Sequence, residues 1–362
     1  MAEVMRERRL RRQKGRRRLA LTVAGTLLAV AFIFLGTGLY WYEANLQPVA
    51  PGSGEEQLIT IPPGAHSRRI AELLHEHGLI KDPLVFRMLV RFQDLDGRLQ
   101  AGQYSLGPGL SLQEIVDKLA SGDVALYSVT VPEGLTVAQT IALLAEGGVA
   151  TREELAAAVA EAAQGWPFLP DGPARLHQPL EGYLFPDTYR LPYDAGAADM
   201  VAMMLRRFEE VFSPAWRERA RELGLTVHEV VTLASIVERE AQVPEERPVI
   251  AAVFHNRLRI GMKLDADPTV IYAVAWDREA TDPYILTRSE LRTDSPYNTY
   301  VYGGLPPGPI ASPGAAAIEA VLYPANVDYL YFVSKFDGTG AHVFARTYQE
   351  HLRNVAKYRD GR

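Results

Sequence analysis

The 362-residue chain contains no cysteine. That absence excludes disulfides, thiolate metal sites and thiol nucleophiles together. It leaves the compartment open, because an exported domain without disulfides relies on its core. The chain also has no G-x-S-x-G, no Ser-x-x-Lys and no Gly-rich phosphate loop, so serine-hydrolase, penicillin-binding and nucleotide chemistry lack their parts. The segment HEVVT at His228 begins like a zincin helix but has no second histidine. His75 and His77, two apart on an expected helix, point to different faces. No metal and no cofactor is expected.

Positive charge is scarce except at one end. Residues 1–18 carry eight Arg and one Lys against two Glu. Removing these from totals of 38 basic and 44 acidic residues leaves a net charge of −13 on the rest. A nucleic-acid role for this arm is set aside because a long apolar run adjoins it. Leu19–Tyr42 holds 24 residues without a charge, and about 20 apolar residues suffice to span a bilayer as a helix. Basic residues before it and Tyr40, Trp41 and Tyr42 at its end match the positive-inside rule and the interfacial aromatic belt. The expectation is a single-pass anchor in a bacterial plasma membrane, with residues 1–18 cytoplasmic and all after Tyr42 outside. The rival is a cleaved signal peptide, whose apolar core is shorter and is followed by a small-residue cleavage site.

Residues 43–57, polar and rich in Pro, Gly and Ser, read as a linker. A region of strand–turn–helix units occupies 58–150, with Ile59–Ile80 and Val129–Val149 built on one plan and Ser105–Val124 echoing it. Within it, strand, helix, helix and strand over Leu58–Ser105 resemble a LysM-type module. That resemblance implies a ligand class, glycans containing N-acetylglucosamine; the rival is a spacer with no ligand. Residues 151–362 read as one larger domain of helices, loops and a late hairpin. The fold class is therefore α+β.

The chemistry-bearing residues are carboxylates, aromatics and amides. On a helical wheel Val227, Val230, Ala234, Val237 and Ala241 form an apolar stripe, flanked on opposite sides by Glu238 and Glu240 while Arg239 points away. Each glutamate is thus a boundary group, and partial desolvation raises a carboxyl pKa toward the range of a general acid. The wheel does not choose between them, and a plain reading makes both solvated charges at a helix end. Three Tyr-bearing loops, EGYLFPDTY, DADPTVIY and SPYNTY with the Pro-Gly run after it, suit an extended cleft for a sugar polymer.

The long stretches EGYLFPDTYRL, LASIVEREAQ, VFHNRLRIGMKLDADPTVIYA, SPYNTYVYGGLPPGPIASPGAAAIEAVLYP and YLYFVSKFDGTGAHVFARTYQEH resemble the endolytic murein transglycosylases of the YceG-like family, over roughly Leu180–Tyr358. The resemblance implies a lytic transglycosylase acting on peptidoglycan glycan strands, beside glycan polymerases and other wall-synthesis proteins. It assigns the catalytic carboxyl to Glu240 and leaves Glu238 as a supporting group. Candidate glycan contacts are Glu181, Tyr183, Asp187, Tyr189, Asn256, Asp267, Thr269, Tyr297 and Asn298. The other readings are a glycan-binding scaffold without activity and a lysozyme-type hydrolase.

Overall fold

Helix starts in this chain are set by local side chains. Ser111, Thr136, Thr151 and Thr226 each accept a hydrogen bond from the backbone N–H three residues on, and Glu114, Gln139, Glu154 and Glu229 return the bond. These reciprocal caps satisfy donors that a helix start otherwise leaves open. The computed structural model describes residues 2–170, 176–276, 278 and 284–358, with side chains from residue 21 onward. The charges of the basic arm lie outside the described residues.

The chain divides into two compact units, residues 1–126 with 192–194, and residues 127–191 with 195–362. In the first unit α1 (Ala2–Leu46) is followed by β1 (Gln57–Ile61), α2 (Ser67–Glu76), α3 (Pro83–Phe92), β2 (Gly102–Leu106) and α4 (Leu112–Ser121). Within α1, Leu21–Leu46 is long and apolar enough to cross a membrane, with a mean hydropathy of 2.0. The expected strand–helix–helix–strand order is present, and β1 pairs antiparallel with β2, Ile59 opposite Tyr104. Ile59, Ile70, Leu74, Phe86, Tyr104 and Ile115 are among the buried core residues.

Residues 43–57 are not a free linker. Their first four residues complete α1, and Ala50 N–H donates to the Pro108 carbonyl at 2.9 Å. A Cβ at Gly107 or Gly109 would strike the carbonyls of Glu55 or Ser53. Composition signals backbone freedom, but here two glycines let the segment lie against the module instead.

The second unit contains β3 (Leu126–Val131), α5 (Val137–Glu146), α6 (Arg152–Ala163), β4 (Asp187–Pro192), α7 (Ala197–Val211), α8 (Pro214–Glu222), α9 (Val227–Glu240), α10 (Arg247–Arg259), α11 (Asp267–Ala275), α12 (Ala315–Leu322), β5 (Tyr331–Ser334), β6 (His342–Ala345) and α13 (Tyr348–Tyr358). β3 pairs with β4, and β5 with β6 as an antiparallel hairpin. Val129–Val149, grouped by sequence with the first module, shares the buried core of this second unit. DADPTVIYA, expected in a loop, is mostly helix α11. Pro268 stands in its first turn, where its missing N–H costs nothing and its fixed φ suits the helix.

The centre of this unit is α9, against which α8, α10, α11 and α12 pack. Val230–Val237 are all buried, so the helix is covered on every side rather than along one stripe. Gly182 allows a close approach to α9. Its φ is +83°, and a Cβ there would meet Pro309 at 2.6 Å and Val231 at 2.9 Å.

Candidate active site

The two glutamates at the end of α9 have different surroundings. Glu238 Oε1 accepts from the Arg247 guanidinium at 3.3 Å and Oε2 from Gly314 N–H at 3.1 Å. Its side chain is 7% exposed. Gly314 is the N-cap of α12, so Glu238 serves as that helix's missing capping group. Glu133 shares the Arg247 charge at 3.9 Å. Burial first, then the charge of Glu238, raises the Glu133 pKa against the pull of Arg247. Arg239 donates to the Gly134 carbonyl at 3.0 Å and ties the turn before α5 to α9.

Glu240 is half-buried, and among the described residues its carboxyl makes no hydrogen bond. Desolvation, and next the negative charge of Asp267, push its pKa up to about 8 against the lowering effect of Arg257. The carboxyl is therefore mostly protonated at neutral pH. Glu238 is not among the groups that set this shift.

Those that do, Arg257 and Asp267, come from two segments, each held by further groups. Arg257, on α10, is 7% exposed and cannot swing freely. Its Nε donates to the Leu330 carbonyl at 2.6 Å and its Nη1 to the Leu264 carbonyl at 2.7 Å. Asp265 lies 3.8 Å away, and the Tyr331 ring sits 5.5 Å from its Cζ. Asp267 opens α11, exposed, and accepts from Tyr300 Oη at 2.6 Å. Burial, then this bond, raises the Tyr300 pKa, with Glu240 adding to the effect. The hairpin carrying Tyr331 is held through Glu246, whose carboxylate accepts from His342 N–H at 2.9 Å and lies 2.7 Å from Nδ1. The result is a neutral acid with a fixed cation, an exposed carboxylate and a phenol around it.

Of the nine expected glycan contacts, Asp267 alone is exposed and electrostatically linked to Glu240. Glu181 is 1% exposed; it accepts from Val137 N–H at 2.9 Å and Tyr272 Oη at 3.0 Å, which joins α5 to α11. Burial pushes its pKa up to about 8. Tyr183 is fully buried between the Phe168 carbonyl and His228 Nδ1. His228 Nε2 lies 2.9 Å from the Pro307 carbonyl, so the ring is a structural bridge. Tyr189 is buried and donates to the Phe185 carbonyl.

Asp187 pairs with Arg207 at 2.7 Å. Asn256 donates to the carbonyls of Val327 and Tyr329. Thr269 is bonded to Thr299 Oγ1 and the Ala266 carbonyl. Tyr297 stacks on His177 at 4.8 Å. Asn298 donates to the carbonyls of Leu291 and Thr293. Glu181, Tyr183, Tyr189, Asn256, Thr269, Tyr297 and Asn298, expected to touch glycan, are all buried. Each spends its polar group or ring on the protein. Polar residues in turn-like segments look alike in sequence whether they face a cleft or brace it.

Sequence reasoning missed Arg257 and Tyr300. Tyr300 stands two residues after Asn298 in a motif already singled out. Arg257 carried no separate signal, because only the carbonyls of residues distant in the chain distinguish it from a surface arginine.

Comparison with known proteins bears on this arrangement. The chain matches the YceG-like family over residues 59–357. It is a member of the YceG-like family. An endolytic murein transglycosylase of Bacillus subtilis is 33% identical over 339 residues, covering 90% of this chain and 91% of that one. A second protein of that name, from Streptococcus pneumoniae, is 30% identical over 360 residues; the match covers 93% of this chain and 65% of the pneumococcal one. A yceG-like protein of Listeria monocytogenes has a crystal structure that superposes with a TM-score of 0.56 at 32% identity, covering 83% of this chain and 99% of that one. The family match covers parts of both units described above and includes every group around Glu240.

Proposed function

We propose that this chain is a membrane-anchored endolytic lytic transglycosylase of peptidoglycan, with Glu240 as its single acid–base group. One observation carries the assignment to Glu240. Of the carboxyls in or beside α9 with restricted exposure, Glu238 is held by two donors and Glu181 is sealed behind Tyr272. Among the described residues Glu240 alone keeps surface and has no hydrogen-bond partner, with a pKa of about 8.

In the proposed reaction Glu240 gives its proton to the β-1,4 glycosidic oxygen between N-acetylmuramic acid and N-acetylglucosamine. The bond from that oxygen to the muramoyl C1 breaks, leaving an oxocarbenium-like centre. The C6 hydroxyl oxygen of the same sugar attacks C1, and its proton passes to the Glu240 carboxylate. A 1,6-anhydro end forms, the acid is restored, and no water is consumed. Most glycosidases need a second carboxyl as base or nucleophile; here the substrate's own hydroxyl replaces it. Asp267 and Arg257 oppose each other in setting the proton affinity of Glu240, and fixed charges of this kind act strongly where water is excluded. A cut inside a strand beside the membrane would release or terminate nascent glycan made by neighbouring polymerases. The strand–helix–helix–strand module of the first unit is assigned glycan binding of the LysM kind on the same reading.

The test is product analysis on purified glycan strands. Mass spectrometry should find anhydro ends, lighter by one water than hydrolysed ends, and Glu240→Gln should abolish them while the circular dichroism spectrum is kept. Full activity in that variant removes Glu240 from the role. Reducing ends in place of anhydro ends indicate a hydrolase, and no cleavage at all indicates a glycan-binding scaffold.

A further inference from the structure

We infer that α3 is a membrane-surface helix, which lays one face on the lipid headgroups beside the point where α1 leaves the bilayer. This rests on the anchor reading of α1.

The face is a stripe. Leu84, Arg87, Arg91 and Phe92 are exposed and Met88 is half-exposed; their spacing of three and four places them along one side of the helix. Leu84 is 52% and Phe92 73% exposed, an unusual outlay of apolar surface opposite a side where Val85, Phe86, Leu89 and Val90 are buried. The stripe has two arginines and no acid. Among the described residues neither arginine has an ion-pair partner. Asp82, at the start of the helix, is spent on capping Leu84 N–H at 2.7 Å. Apolar side chains mixed with unpaired arginines are the composition of helices that lie in a lipid interface.

The position of the stripe is set by α1. Leu21–Leu46 is 26 residues long, about 39 Å at the helical rise, against about 30 Å of hydrocarbon. The last turns, with Tyr40, Trp41 and Tyr42, thus stand at headgroup depth. α3 packs there: the Phe92 ring meets Tyr42 edge-on at 6.5 Å. Lys81 Nζ, just before α3, donates to the Ala44 carbonyl at 2.9 Å. Tyr42 and Leu46 also pack on the core of the unit. The module is therefore fixed to the end of the anchor, with Phe92 of the stripe against Tyr42 of α1. Anionic lipid headgroups match its two arginines.

The absence of cysteine makes the test direct. Nitroxide labels are placed singly at Leu84→Cys, Phe92→Cys and Leu28→Cys in the full chain, reconstituted in nanodiscs of phosphatidylcholine with phosphatidylglycerol. The labels at 84 and 92 should be shielded several-fold from a water-soluble nickel relaxant relative to the free label, yet remain open to oxygen. The double change Arg87→Glu with Arg91→Glu should reduce that shielding. Labels at 84 and 92 as open to nickel as free label, while the Leu28 label is shielded, would overturn the surface helix and leave the anchor standing. A nickel-accessible Leu28 label would overturn both.

Discussion

Glu240 and Glu181 both have pKa values raised to about 8, for one dominant reason with opposite consequences. Desolvation outweighs every other influence on each, but Glu240 keeps an open side and Glu181 does not. For Glu240 the effect belongs to the proposed reaction. If its acid form is required, kcat/KM should fall as pH rises through about 8. Asp267→Asn keeps an acceptor for Tyr300 Oη but removes the charge that raises Glu240, so the alkaline limb of the profile should move to lower pH. An unmoved limb would show that Asp267 does not act through Glu240.

For Glu181 the effect belongs to folding. Its native pKa stands above the ordinary 4.5, so the native state holds a proton that the unfolded chain has lost. The stabilisation is complete below about pH 4.5 and is lost as pH rises to about 8, at up to about 1.4 kcal/mol per pH unit for each such group. Denaturant unfolding from pH 5 to 8.5 should show this fall, and Glu181→Gln should make it shallower by about one proton. An unchanged slope would mean that Glu181 is already ionised in the native protein.

Among the elements, α9 and α11 show where sequence patterns hold and where they do not. The start of α9 is set by Thr226 and Glu229, whose reciprocal capping is local chemistry. Its surroundings were not legible in the sequence, because a helix buried on all sides and one buried along a stripe can carry the same apolar positions. α11 was hidden by its Pro and two Asp, which suit a turn as well as a first helical turn. The approach of Gly182 to Pro309 and Val231 on α9 gives a sharp test at this scale. Gly182→Ala combines a left-handed backbone with overpacking and should cost about 2–5 kcal/mol. A loss below about 0.5 kcal/mol in denaturant unfolding would show that the contact yields.

The described residues hold two separate hydrophobic cores, one in each compact unit. Calorimetry of the full chain in detergent should therefore resolve two transitions. Phe86→Ala, in the core of the first unit, should remove about 3–5 kcal/mol from one of them and leave the other in place. A single transition that moves as one body would mean that the units unfold together. Retention of the second transition in Phe86→Ala would also license activity assays on that variant, separating the module's contribution from that of Glu240.

Sequence alone determined the apolar span, the order of elements in the first module and the family. All of these are written in contiguous residues, as runs or long motifs. Its helical pattern narrowed the candidate acid to two neighbouring glutamates, and the family resemblance pointed to Glu240. Only tertiary structure decided what surrounds them. Glu238 is occupied because Arg247 and the N-terminus of α12 reach it, and Glu240 is unpaired because Arg257 is spent on the carbonyls of Leu264 and Leu330. The same physics buried most of the residues expected to touch glycan. Tyr, Asn and Thr report in sequence that a hydrogen bond will be made, while the partner, protein or ligand, depends on which distant backbone folds against them.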